Sequence, residues 1–157
     1  MKIIRDTREQ NGFFVDDFTR GNIVVIDKKL NAGDYSIEGL EDKVSIERKA
    51  TTGELYINLS KKTNKERFYR ELEILSKMKA YIVCEFPESL IHSFPEGSGI
   101  PESKKKFLRV SGKYFRKMLY EIEEKFNIKI IYCRDRAEAE HITFSLLESE
   151  WKNMNLA

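Results

Sequence analysis

Histidine and cysteine are scarce in this chain, two of each in 157 residues. A structural zinc site takes four nitrogen or sulfur ligands at short spacings, whereas His92, His141, Cys84 and Cys133 stand singly. A zinc module and a disulfide framework are both excluded. Cys84 and Cys133 each sit in an apolar run and suit buried thiols in a reducing compartment; His141 is read as structural with them. Any metal is then left to carboxylate oxygens, which favours Mg²⁺ or Mn²⁺. Long apolar runs are also missing. The start "MKIIRDTREQ" is neither a signal peptide nor a membrane span, and no later segment spans a bilayer. No membrane partner is expected, and the location expected is intracellular: the cytoplasm, or a host nucleoid or nucleus. A strong excess of one charge is absent too, since the net charge is only +2.

What is present is a chain 41% hydrophobic and 34% charged, the profile of a globular protein. Its length suits one domain over residues 1–157 with a sizeable core. Strands are predicted at "KIIR" from Lys2, "NIVVIDKKL" from Asn22, "GDYSIE" from Gly33 and "KVSIERK" from Lys43, with a tight hairpin at Gly39. A short helix follows in "TTGELYINLSKK". A longer one, "NKERFYRELEILSKM", is expected to start at an Asn64 cap and to bury Phe68, Leu72 and Leu75. After the strand "KAYIVCEF", the stretch "PEGSGIPESKKK" from Pro95 reads as a mobile loop. The helix "GKYFRKMLYEIEEKF", the strand "NIKIIYC" and a last helix capped by Asp135 complete the order. The pattern predicts an α/β fold: a central mixed β-sheet flanked by helices.

The stretch "VSIERKA" from Val44 is the least ordinary. Strand side chains alternate, so Glu47 and Lys49 share a face, roughly 7 Å apart, while Val44, Ile46 and Arg48 point the other way. Asp6 and Glu9 in "RDTREQ" and Asp34 in "AGDY" lie near other strand ends. A hairpin would bring the strand of Asp34 beside that of Glu47. Carboxylates on neighbouring strands suit a metal that promotes phosphodiester hydrolysis, and a nearby lysine suits developing charge. Any one of these acids alone is more simply a solvated residue at a strand edge.

Together, "DTRE", "LNAGDYSIE", "SIERK" and "ERFYRELE" resemble the nuclease domain of the XPF family of structure-specific endonucleases, within the PD-(D/E)XK superfamily. The resemblance continues through "KAYIVCEF" and "FNIKIIYCRDRAEAEHI", in order along nearly the whole chain. It implies a restriction-endonuclease-like nuclease fold and a Mg²⁺- or Mn²⁺-dependent endodeoxyribonuclease. It also implies Asp34 and Glu47 as metal ligands, with the Arg48 carbonyl a third. Lys49 would activate water or stabilise charge. Asp6 and Glu9 would complete the acidic site, and Arg67 would lie beside it. Arg8 and Arg48 would orient the carboxylates or meet phosphate, or else form salt bridges across strands. The chain departs from the family in having "ATTG", one residue more than usual, between Lys49 and the pair Glu54 and Leu55. No tandem helix-hairpin-helix segment is seen in the sequence.

Basic residues gather in "SKKKFLRVSGKYFRK" from Ser103 and at Lys61, Lys62, Lys65, Arg67 and Arg70. Such patches supply non-specific DNA affinity through counterion release. Tyr114 and Phe115 would stack on bases, unless Phe115 joins the core. The last helix carries two apolar stripes, Ala139, Ile142 and Leu146, and Phe144, Leu147 and Trp151. The second stripe either forms a homodimer face or is buried in the same monomer. The expectation is a DNA-repair type of endonuclease acting on branched, flap or nicked DNA. The alternative is a DNA-binding or partner-binding module of the same fold with weak catalysis.

Overall fold

The fold is that of a computed structural model and is described for residues 1–15 and 22–155. Strands β1 (Lys2–Arg5), β2 (Val24–Asp27), β3 (Tyr35–Ile37), β4 (Val44–Lys49), β5 (Lys79–Cys84) and β6 (Lys129–Tyr132) form one sheet in the order β2-β1-β3-β4-β5-β6. β1 pairs in parallel with β2 and antiparallel with β3; β3 is antiparallel to β4, and β4, β5 and β6 run parallel. The expected mixed sheet is therefore present. Central strands are covered on both faces, so both Ile3 and Ile4 of β1 are fully buried despite pointing opposite ways.

Among the described residues there are six helices: α1 (Thr52–Ser60), α2 (Lys62–Leu75), α3 (Ser89–His92), α4 (Glu102–Lys105), α5 (Gly112–Phe126) and α6 (Arg136–Asn155). α1, α2 and α5 bury Leu55, Phe68, Leu72, Phe115 and Leu119 on one side, against Ile82 and Cys84 of β5. α6 closes the other side over Tyr35, Ile37, Val44 and Ile46. Both stripes of α6 pack on this second core, with Phe144 and Leu147 buried and Ile142, Leu146 and Trp151 half-buried. Phe115 is wholly in the core, while Tyr114 stays exposed. Among the described residues no helix is long and apolar enough to cross a membrane.

Two local expectations are corrected. α2 starts at Lys62 with Lys61 as its N-cap, so Asn64 lies inside the first turn and donates from Nδ2 to Ile57 O at 3.3 Å. The stretch from Pro95 is anchored rather than free. Ser98 is buried, its carbonyl accepts from Gly53 N at 3.1 Å, and its hydroxyl accepts from Ile100 N at 3.2 Å. Gly53 permits that contact, because a Cβ there would lie 2.4 Å from Ser98 O.

Candidate active site

The site begins with a turn that only glycine can make. Gly33 has φ +83°, and a Cβ on it would stand 1.9 Å from Ser45 Oγ. The chain then enters β3 with Asp34 N donating to Ile46 O at 2.8 Å. Tyr35 pairs with Ile46, which sets Asp34 beside Glu47 on adjacent antiparallel strands. The Arg48 backbone N–H donates to Asp34 Oδ2 at 2.7 Å. The predicted hairpin neighbours are thus brought together.

Glu47 and Lys49 share the face under α2, as alternation demands. Both are buried, at 6% and 5% exposure, and Lys49 Nζ lies 3.2 Å from Glu47 Oε1. Lys49 also sits 5.1 Å from the centre of the Phe68 ring and 3.8 Å from Glu54 Oε1. Burial opposes its charge, but Glu47, Glu54 and Asp34 outweigh it and hold the ammonium above its ordinary value. That shift favours the charged form of Lys49.

The carboxylates are crowded in the opposite sense. Burial and the charge of Glu9 push Asp34 up to about 7, despite the Arg48 N–H. Burial raises Glu47 as well, and Asp34 and Glu71 add to it against the pull of Lys49. Glu47 Oε2 is buried with no hydrogen-bond partner among the described residues. A buried, unpartnered carboxylate oxygen beside a second carboxylate is a donor set for a hard divalent cation. Among the described residues, no three acidic, histidine or cysteine side chains converge to hold one. Two protein carboxylates would leave most positions of a small octahedral ion to water and phosphate.

Glu71 is the residue that sequence reasoning missed. From α2 its Oε1 accepts from Gly33 N at 3.1 Å, and its charge lies near enough to raise both Glu47 and Asp34. It lies one helical turn beyond Arg67 on the same face, and that spacing was the available signal. Arg67 is exposed on this face. Arg70 is exposed too, but lines a cavity toward α5 with Lys62, Lys65, Tyr69 and Lys125.

Asp6, Arg8, Glu9 and Arg48 are engaged in tying strands together. Asp6 Oδ1 accepts from Leu30 N at 2.8 Å, and Oδ2 accepts from Arg8 Nε at 2.9 Å and Arg8 N at 3.1 Å. Arg8 Nη2 also donates to Leu30 O at 2.9 Å. Arg48 follows the salt-bridge alternative. Its side chain turns to the α6 face, where Nε donates to Glu9 Oε2 at 2.9 Å, Nη2 to Gln10 O at 2.9 Å, and Nη1 pairs with Glu85. Phe13 lies between Arg48 and Arg136, 5.3 and 5.1 Å from their guanidinium carbons. Glu54, despite the extra residue before it, reaches Ala50 N at 3.0 Å, while Thr51 Oγ1 caps Glu54 N at 3.1 Å.

A mixed sheet with helices on both faces, with Asp34, Glu47 and Lys49 meeting at the paired ends of β3 and β4, is a restriction-endonuclease-like α/β fold. The sequence model of the ERCC4 domain matches residues 5–146. The chain belongs to the ERCC4 domain family. Its fold is similar to XPF from Aeropyrum pernix (TM-score 0.63, 16% identity, 99% of this chain and 67% of that chain). It is likewise similar to the structure of XPF from Aeropyrum pernix in complex with DNA (TM-score 0.65, 18% identity, 97% of this chain and 66% of that chain). This chain thus spans about two thirds of those chains. No curated protein matches it.

Proposed function

We propose that this protein is a Mg²⁺- or Mn²⁺-dependent DNA endonuclease, acting on branched, flap or nicked DNA as one nuclease domain over residues 1–157. The observation that carries the reading is the meeting of Asp34, Glu47 and Lys49 at the paired ends of β3 and β4. ERCC4 family membership and a fold like that of an XPF solved with DNA support a DNA-directed role.

In this reading Asp34 and Glu47 hold the cation. When bound, such an ion supplies Lewis-acid stabilisation of charge on the phosphoryl oxygens. Lys49 adds a second fixed positive charge, already oriented by Glu47 and Phe68, so it needs no reorganisation during reaction. Asp6, Arg8, Glu9 and Arg48 act by holding strands and loops in register, with the exposed part of Arg8 open to phosphate. Arg67, Arg70 and the exposed lysines of α2 hold the backbone of DNA. A homodimer through the second stripe of α6 is proposed on the half-buried Trp151 alone, since Phe144 and Leu147 are buried in the monomer, and sedimentation tests it.

The reading is tested by cleavage of labelled flap, nicked and blunt duplex DNA with Mg²⁺, Mn²⁺ or EDTA. Wild type should cut with either ion and not with EDTA. Asp34→Ala and Glu47→Ala should fold and bind DNA without cutting. Binding without cutting by wild type under both ions would leave a DNA-binding module instead.

A further inference from the structure

The basic segment after Pro95 forms a groove with α1 that the proposed chemistry does not use. Its volume is about 560 Å³, with Tyr56, Ile57, Ile100, Pro101 and Leu108 among its walls. Thr51, Gly53 and Glu54 line its other end, directly after the strand that carries Glu47 and Lys49. Phe107 precedes Leu108 and is 72% exposed, the most exposed large apolar side chain among the described residues. An aromatic ring held in water loses the burial that normally fixes such a residue, so it calls for an occupant.

Charge around the groove identifies the occupant's class. Lys61 and Lys104 line it; Lys106 Nζ stands 5.2 Å from the Phe107 ring centre; Arg109 and Lys113 follow, all exposed. Few acids stand nearby: Glu102 pairs with Lys105, Glu54 serves Ala50 N and Lys49, and the exposed Glu96 acts on Lys105. The surface therefore offers open cations, an apolar wall and one free ring face. A polyanion carrying flat, unpaired bases fits all three, because stacking on a protruding ring needs a base face that a duplex keeps hidden.

We propose that this groove, with the exposed Lys106 and Phe107 that adjoin its wall residue Leu108, is a single-stranded DNA site in which Phe107 stacks an unpaired base and Lys104 and Lys106 neutralise its phosphates. The inference rests on the reading of Asp34 and Glu47 as a nuclease site, since it assigns the groove to the unpaired arm leaving that site.

The test is anisotropy of a labelled oligothymidylate of about 12 nucleotides, and of a blunt duplex, in EDTA. The full chain is used as wild type, Phe107→Ala, Phe107→Trp and Lys104→Ala with Lys106→Ala. Phe107→Ala should weaken oligothymidylate binding about five- to tenfold and leave the duplex little changed, and Phe107→Trp should bind like wild type. The lysine pair should lower the slope of log affinity against log salt by about 1.4. Equal oligothymidylate binding by Phe107→Ala and wild type overturns the inference and leaves the groove to a protein partner. Equal loss on both DNAs overturns it as well. No cleavage occurs in EDTA, so failure of the nuclease reading shows separately, as absence of cutting with Mg²⁺ or Mn²⁺.

Discussion

The backbone N–H of Arg48 donates a 2.7 Å hydrogen bond to Asp34 Oδ2, while the Arg48 side chain leaves for the opposite face of the sheet. One residue thus serves both layers. Its main chain aims the carboxylate of Asp34 toward Glu47, and its guanidinium ties Glu9 and Glu85 into the α6 side. The aim of Asp34 therefore depends on the pairing of β3 with β4, not on the side chain at position 48.

Lys49 and Glu47 are expected to be coupled in stability but not interchangeable in chemistry. Lys49→Met removes the cation that favours ionised Glu47, so the buried acid takes up a proton, and the change should cost about 1–3 kcal/mol. Adding Glu47→Gln, which resembles the protonated acid, should cost little further, while cleavage stays absent. Urea denaturation of the four proteins in the cycle checks this. Simple additivity of the two single changes would contradict it.

Asp6 should reveal itself as a tie rather than a chemical group. Burial raises its pKa, but its hydrogen bonds from the Arg8 side chain, Leu30 N and Arg8 N outweigh that and leave it below its ordinary 3.8. A depressed folded pKa gives stability that is present above the ordinary value and is lost as pH falls through the depressed one. Asp6→Ala should cost about 2 kcal/mol at neutral pH. The gap to wild type should narrow steadily in acid, as denaturation measured across that range would show. A gap independent of pH would contradict the charged tie.

Glu71 is expected to position the Gly33 turn that leads into Asp34. Glu71→Leu removes the acceptor for Gly33 N and should weaken Mn²⁺ binding and cleavage about 10- to 100-fold. Glu71→Gln keeps that acceptor and should retain most of both. Paramagnetic Mn²⁺ titration reads the binding directly. A Gln variant as impaired as the Leu variant would contradict positioning through this hydrogen bond.

Much of the fold was legible because strand alternation and helical stripes report burial directly. Phe115, Leu119, Ile122 and Phe126 lie inward on α5 as their spacing requires. That the strand of Asp34 lies beside that of Glu47 was legible from Gly39 and the short hairpin, but the register, Tyr35 against Ile46, was not. Capping was less so. Asn64 resembles a cap in isolation, yet α2 starts two residues earlier, where α1 has just ended. The anchoring of Ser98 was hidden because it depends on the main chain meeting Gly53, which no side-chain pattern records. Arg48 fits neither face by polarity. Its side chain reads as core only once Glu9, Glu85 and Phe13 are seen around it. Glu71 lay on a face already assigned to Arg67, where one acid among many on a charged helix carries little signal.

The central claim is that Asp34 and Glu47 together hold the cation of a DNA endonuclease. Anomalous diffraction from crystals soaked in Mn²⁺ tests it most directly, with Glu47→Gln as the control. The expected result is one strong peak within coordination distance of both carboxylates, lost in the variant. A peak bound elsewhere, or none at Mn²⁺ concentrations that support cleavage, would contradict the account.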